Sequence, residues 1–270
     1  MQSRTFISGL LYPRMKTDRA GEQLKFVNDE WARFQKGEPY AITEHDDPEN
    51  GLHVVRVKLN SGDPRIPIAI GEFAYALRSA LDQLVWQLAL LSGRQPGNKS
   101  TFPIQSSDGK LDRRRFMNAT WNVPCEAVSI IKDLQPYTRR NGFKAHPLWQ
   151  LNKLCNLDKH ATISISHTLV NIKTSGPPAP ISIRQFGDAR KTYTDVAYPI
   201  ELKGQVRIEP EPPIMILGKP LEAPGPEFTL SAKALGQIHH FVRYEVLPQF
   251  ERFFPGGGGF LIHDSDSAKK

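Results

Sequence analysis

The sequence predicts an α+β protein in which an N-terminal helical bundle with a β-hairpin is followed by an antiparallel β-sheet and a C-terminal helix. Three observations support this class. Apolar residues recur every three or four positions before about residue 160, polar and apolar residues alternate after it, and ten of the 22 prolines fall between Pro177 and Pro226. Such prolines favour short antiparallel strands with tight turns. We therefore expect a mainly helical region at 1–160, a sheet at 161–254 whose C-terminal helix packs back to form one continuous unit, and a flexible tail at 255–270.

Two amphipathic helices and a hairpin are predicted before residue 92. Apolar residues at spacings of three and four indicate a helix over Arg19–Lys36, which a Gly-Glu-Pro sequence ends. Tyr40–Glu44 and His53–Leu59 have the composition of strands with a turn between them, which predicts a hairpin at about 40–59. Pro67 can open the next helix, over Ile68–Leu91, whose apolar stripe is about six turns long.

Arg78 and Asp82 lie one turn apart on the edge of that stripe, with Tyr75 and Trp86 on the same flank. An exposed ion pair at this spacing contributes only about 0.3–0.5 kcal/mol. At a buried helix seam the same pair would need further hydrogen bonds, and it would then be a candidate site.

Shorter elements are predicted in the middle of the chain. Thr101–Ile104 is expected to be extended, and Asp112 can cap a short helix that begins with three arginines. Pro124 begins another helix that ends at Leu134. The segment Tyr137–Ala145 contains a glycine and three basic residues, and we predict a basic loop there.

The segment His146–His160 has the densest grouping of chemically capable side chains, and we predict a helix with Pro147 in its first turn. Its apolar face consists of Leu148, Leu151, Leu154 and Cys155. A second stripe, on nearly the opposite side, consists of Trp149, Lys153, Asn156 and His160. Asp158 falls on the apolar side, where a carboxylate needs a cation or several donors, and Arg78 is the expected partner. That pair would be either architectural, between two helices, or part of a functional site.

Alternating residues at 162–169 predict the first strand of the second half. Further strands are predicted at Ile181–Phe186, Tyr193–Ile200, Gln205–Glu209 and Ile214–Leu217. Thr229 or Ser231 can cap a last helix that runs to Phe253, and Pro248 is expected to kink it.

Most of the formal charge of +7 lies next to the His146–His160 segment. Between Lys110 and His160 there are ten Lys or Arg and four Asp or Glu, an excess of six positive charges. Such an excess is compatible with RNA or another polyanion as a partner, and equally with a solvated positive face.

Histidine and arginine are the side chains most able to act on a phosphate here. His146 or His160 has suitable acidity for proton transfer, with Arg78, Arg140 or Lys159 against phosphate charge. A histidine at a helix end is more often structural. His146, Cys155, Asp158, His160 and His167 match no zinc-site spacing, and the sequence contains no P-loop, GxGxxG, GxSxG or HExxH motif. We therefore expect neither a metal nor a cofactor.

The run Arg140-Asn-Gly-Phe-Lys-Ala-His146 resembles the R-x(4–6)-H motif of HEPN ribonucleases. That resemblance implies metal-independent RNA cleavage by a homodimer, with the histidine as acid or base and the arginine against phosphate charge. The runs LRSALDQLVW (77–86), FPI (102–104), LQPY (134–137) and HPLWQLNKLCNLDKH (146–160) are also similar to a group of bacterial proteins of unknown function. This second resemblance implies no activity.

Two functional hypotheses remain. The first is a nucleic-acid-directed protein of bacterial or phage type, in the form of a HEPN-like ribonuclease. The second is a non-enzymatic binding or regulatory module whose polar helix residues are architectural. A small-molecule hydrolase would need a nucleophile arrangement that the sequence lacks. Two cysteines make no disulfide framework and no apolar run approaches the roughly 20 residues of a membrane span, so we expect a cytoplasmic protein without a membrane partner.

Overall fold

The structure is a computed structural model. It describes residues 5–7, 9–60, 62–105, 112–160, 164–166, 170–175, 180–188, 191–210, 216–218, 229–255 and 260–262. The α+β class predicted from the sequence is confirmed.

The α-helices are α1 (Leu11–Lys36), α2 (Arg65–Leu91), α3 (Arg113–Thr120), α4 (Cys125–Asp133), α5 (Pro147–His160) and α6 (Ala232–His240). Helices with 3₁₀ geometry occupy Pro136–Ala145, Ile200–Leu202 and Leu247–Phe253, and a π-helix occupies Phe241–Val246. The strands are β1 (Thr5–Ile7), β2 (Tyr40–Asp47), β3 (Leu52–Leu59), β4 (Ser164–Ser166), β5 (Val170–Thr174), β6 (Ser182–Asp188), β7 (Lys191–Pro199), β8 (Val206–Pro210), β9 (Ile216–Gly218), β10 (Thr229–Ser231) and β11 (Phe260–Ile262).

The chain forms two units, each made of separated segments. The first contains Met1–Leu24, Gly71–Asn156 and Lys233–Lys270, and the second contains Lys25–Ile70 and Leu157–Ala232. Both long helices, α1 and α2, contribute one part to each unit.

The core of the first unit is the apolar stripe of α2. Phe73, Leu77, Leu81, Leu84 and Leu88 are all buried. The C-terminal helices pack against α1 in this unit, where His239 Nε2 lies 3.0 Å from the carbonyl oxygen of Thr17. An added Cβ at Gly21 would lie 3.3 Å from His239 Nε2, so the absence of a side chain permits this close approach.

The second unit is built on a four-stranded antiparallel sheet in the order β2-β3-β7-β6. The predicted hairpin is confirmed, and its second strand also pairs with β7 from the second half of the chain. Val55, Val57, Val196 and Tyr198 form the buried cluster of this sheet. Two further antiparallel sheets belong to this unit, β10-β9-β4 and β5-β8.

One predicted boundary and one predicted element were wrong. Helix α1 begins at Leu11 rather than Arg19, because Thr17, which is fully buried in this part of the helix, is polar and does not register in an apolar pattern. The predicted basic loop after Gln135 is instead a 3₁₀ helix, which Pro136 opens and in which Thr138 Oγ1 donates to the Gln135 carbonyl oxygen at 2.7 Å.

Pro248 lies in the last predicted helix, and the regular α-helix ends before it. The chain passes from α6 into the π-helical turn and then into the 3₁₀ helix that contains the proline. Proline lacks a backbone N–H and its ring crowds the preceding turn, which accounts for the change in geometry. Several predicted positions lie outside the described residues, namely 161–163, 167–169, 214–215, the Gly256–Gly259 run and the tail after 262.

Candidate functional site

A cavity of about 420 Å³ lies in the first unit, beside the middle of α2. The described residues that line it come from four parts of the chain: α2, the segment 99–104, α3 with its capping residue Asp112, and α5. They are Arg78, Lys99, Thr101, Phe102, Pro103, Ile104, Asp112, Arg114, Arg115, Asn118, Ala119 and Asn152. We call this the Arg78 cavity. Its volume is within the range of small-ligand pockets, about 300–1,000 Å³.

Arg78 is held in one orientation by a clasp that we define as Arg78, Asp82 and Phe102. Arg78 Nη2 donates to Asp82 Oδ1 at 2.8 Å and to the Phe102 carbonyl oxygen at 2.7 Å, and Nε donates to Asp82 Oδ2 at 3.2 Å. The Phe102 backbone N–H donates to Asp82 Oδ1 at 2.8 Å. The side chain of Phe102 is fully buried, which anchors the extended segment to α2.

The clasp leaves one nitrogen of the Arg78 guanidinium for a ligand. Nε and Nη2 are occupied, whereas Nη1 has no acceptor among the described residues. The side chain is 23% exposed, so solvent or a ligand can reach it. A guanidinium that is already oriented loses less conformational entropy when it binds an anion.

Two buried glutamines position the wall of the cavity that α3 forms. The side chain of Gln105 accepts from the Asp112 backbone N–H at 2.7 Å and donates to the Asp112 carbonyl oxygen at 3.2 Å. The Gln105 backbone N–H in turn donates to Gln135 Oε1 at 2.9 Å, and Gln135 Nε2 donates to the Ile131 carbonyl oxygen. Asp112 caps α3 by accepting from the Arg115 backbone N–H at 3.0 Å. These bonds fix the first turn of α3, and with it Arg114 and Arg115, beside the cavity.

The loop that carries Lys99 is tied at both ends. Ser100 N–H donates to the Gly97 carbonyl oxygen at 2.8 Å, and Asn122 Nδ2 donates to the Gln95 carbonyl oxygen at 3.0 Å. The Lys99 side chain is exposed, as are those of Arg114 and Arg115. Four basic side chains therefore face one cavity, and the carboxylates of Asp82 and Asp112 are both used in internal hydrogen bonds.

The predicted partnership of Arg78 with Asp158 was wrong. Arg78 pairs with Asp82 and Phe102, and Asp158 is exposed on the last turn of α5. The last buried residue of this helix is Cys155. The helical-wheel prediction failed for Asp158 because it extended the buried face to a turn that is exposed. The predicted apolar face itself is confirmed, since Leu148, Leu151 and Leu154 are fully buried.

His146 is a buried capping residue. Its Nδ1 accepts from the Leu148 backbone N–H at 3.2 Å, its carbonyl oxygen accepts from Gln150 N–H, and its ring packs edge-on against Phe241 at 5.2 Å. Burial, together with the smaller effect of the positive charge of Arg139, lowers the pKa of this imidazole from 6.5 to about 4. The ring is thus neutral near pH 7, and only 3% of the residue is exposed.

The second stripe of α5 forms a surface apart from the cavity lining. Trp149 is half-buried and packs edge-on against Phe143, with ring centroids 6.0 Å apart. Lys153 Nζ lies 5.4 Å from the Trp149 ring centroid, a cation–π arrangement. Asn156 and Lys159 are exposed.

The side chains of Arg140 and His160 lie outside the described residues. Their backbones are in the 3₁₀ helix Pro136–Ala145 and at the end of α5. The roles proposed for these two residues stay predictions.

Sequence reasoning identified Arg78 but missed most of the cavity. Lys99, Asn118 and Asn152 carry no motif, and Asn152 lies between the two predicted stripes of α5. Two features of the sequence could have indicated the cavity: the i,i+4 spacing of Arg78 and Asp82, and the three arginines that follow Asp112. Both predict positive charge held close to a helix.

No group of three or more His, Cys, Asp or Glu side chains in the described residues is placed to hold a metal ion. Among the helices in the described part of the chain, none combines the length and the apolar character that crossing a membrane requires. No protein-family model, curated protein or solved structure matches this chain.

We expect Asp82→Ala to lower the free energy of unfolding by about 1–3 kcal/mol, because it removes the acceptor of Phe102 N–H and of Arg78. Urea unfolding followed by circular dichroism measures the change. Asp29→Ala is the matched control, since Asp29 forms an exposed i,i+4 pair with Lys25 and should cost less than about 0.5 kcal/mol. Equal effects of the two substitutions would contradict the clasp.

Stability should depend on pH through His146. The unfolded chain binds a proton near pH 6.5, whereas the folded chain binds it only near pH 4. The free energy of unfolding therefore falls as the pH is lowered from 6.5 towards 4. The stability that comes from the neutral His146 ring is fully present above pH 6.5. His146→Asn keeps a capping acceptor without a titrating ring, so its stability should fall less over that window. Identical pH slopes in the wild type and the variant would show that His146 is not buried as the neutral form.

Proposed function

We propose that this protein binds single-stranded RNA and holds one of its phosphate groups in the Arg78 cavity. The observation that carries the proposal is the convergence of Arg78, Lys99, Arg114 and Arg115 on one concave site, with Arg78 already oriented by Asp82. Arginine is a frequent phosphate ligand in proteins, and the oriented Arg78 guanidinium keeps Nη1, which has no acceptor among the described residues, to donate to a phosphate oxygen.

Exposed aromatic side chains near these cations support a nucleic acid over a simple anion. Trp121 directly follows α3 and is 70% exposed, and Arg114 lies seven residues before it, about 10 Å along the helix axis. Tyr75 and Trp86 are exposed on the same flank of α2 as Arg78. A positively charged groove with exposed aromatic rings is the usual arrangement for binding single strands, because each base can stack on a ring.

The two side-chain amides in the cavity favour RNA. Asn118 and Asn152 can each donate and accept a hydrogen bond, which suits the 2′-hydroxyl that distinguishes RNA from DNA. The local excess of positive charge between Lys110 and His160 adds attraction that does not depend on sequence.

The geometry of His146 supports RNA binding without cleavage by this histidine. His146 is buried, neutral and engaged in capping α5, so it is not presented to a substrate as an acid or base. A metal-independent ribonuclease of the HEPN type would then need His160 as its acid or base. Incubation of a labelled single-stranded RNA with the protein in chelator, analysed on a denaturing gel, tests for cleavage. RNA decay that disappears in His160→Ala would favour the ribonuclease.

We expect Arg114→Gln and Lys99→Gln each to weaken binding of a fluorescently labelled single-stranded RNA by about three- to tenfold. Each loses one cation against phosphate, so the slope of log affinity against log salt should also fall by up to about one. Fluorescence anisotropy at several salt concentrations measures both quantities, and DNA of the same sequence should bind more weakly.

Arg113→Gln is the matched control for this experiment. Arg113 is exposed, lies next to Arg114 on the same helix and does not line the cavity. The control carries the same change in net charge, so its effect on binding should be the smaller one. Equal losses for Arg113→Gln and Arg114→Gln, or the absence of any RNA binding by the wild type, would contradict the proposal.

A further inference from the structure

We infer that the Arg78 cavity binds a terminal phosphomonoester, the phosphorylated end of an RNA strand, in preference to a phosphodiester within the strand. This inference rests on the proposed function and deepens it, because it states which phosphate the cavity takes.

The described lining of the cavity is mainly cationic. Arg78, Lys99, Arg114 and Arg115 line it together with one carboxylate, that of Asp112, which caps α3. Asp82 pairs with Arg78. A phosphodiester carries one negative charge, whereas a phosphomonoester carries about 1.5 to 2 at pH 7. The more highly charged terminal group therefore gains more electrostatic attraction from the same cations than an internal phosphate does.

The size of the cavity suits one terminal nucleotide. Its walls come from α2, from the segment 99–104, from α3 and from α5. A volume of about 420 Å³ is within the range of cavities that hold a single small ligand.

The described lining has a polar part and a smaller apolar part. Of its apolar residues, Ile104 is half-buried, whereas Phe102 and Pro103 are buried. A terminal nucleotide presents a charged phosphate and an apolar base face at once, so its phosphate can contact the cations and its base can contact Ile104. Trp121 is then available for stacking by a base further along the strand.

The same phosphomonoester could also come from a free nucleotide, and the experiment separates the two sources. The probes are one RNA oligonucleotide with hydroxyl groups at both ends, the same RNA with a 5′-phosphate, the same RNA with a 3′-phosphate, and a nucleoside monophosphate. Each competes with a labelled RNA in fluorescence anisotropy.

One of the two phosphorylated RNAs should bind at least tenfold more tightly than the RNA with hydroxyl ends. This preference should fall below about threefold in Arg78→Gln and in Arg114→Gln, and it should persist in Arg113→Gln. Arg114 is exposed, so its replacement does not disturb the clasp and the comparison does not depend on the folding of Arg78→Gln.

Equal affinity for phosphorylated and hydroxyl-ended RNA would overturn the inference while leaving the proposed function in place. A preference that survives in both Arg78→Gln and Arg114→Gln would overturn it as well, because the phosphate would bind elsewhere. If the nucleoside monophosphate binds as tightly as the phosphorylated RNA, the phosphomonoester inference is supported and the RNA part of the proposed function is contradicted.

Discussion

The arrangement of the candidate site depends on the contact of Asp82 with Arg78 and Phe102. One carboxylate orients a guanidinium and accepts a hydrogen bond from the backbone N–H of an extended segment that pairs with none of the described strands. Because Phe102 is buried, the segment cannot move away from α2 without exposing an aromatic ring to water. The same interaction therefore builds a wall of the cavity and aims the cation that faces into it. A surface ion pair at this spacing would do neither.

The buried side-chain amides of Gln105 and Gln135 position a second wall of the cavity. Gln105 and Gln135 carry no charge, so they can be buried at lower cost than ions as long as their hydrogen bonds are made. They hold the start of α3 beside the cavity, and the capping carboxylate of Asp112 keeps that start helical. The flexible cations, Lys99 and Arg114, thus project from a rigid frame. Rigid support with exposed charged ends suits the binding of an anion from solution.

Local patterns predicted the elements of this fold better than they predicted which elements meet. The apolar stripe of α2, the hairpin and the Asp112 cap each depend on residues close in sequence, and all three are confirmed. The pairing of β3 with β7 joins residues about 140 positions apart, and the sequence held no signal for it. Asp158 illustrates the same limit, because a helical wheel places a residue on a face without stating how far the covering layer extends. Two partners were predicted for Arg78, Asp82 one turn away on its own helix and Asp158 on another helix, and the pair that forms is the local one with Asp82.

The central claim is that phosphate binds at Arg78, and a crystal structure of the protein with an RNA oligonucleotide phosphorylated at its 5′ or 3′ end tests it most directly. The account predicts that the terminal phosphorus lies inside the Arg78 cavity, with a phosphate oxygen within hydrogen-bonding distance of Arg78 Nη1 and the side chains of Arg114 or Lys99 turned towards it. RNA bound along the Trp149 and Lys153 surface instead, with the cavity holding no phosphate, would contradict the account.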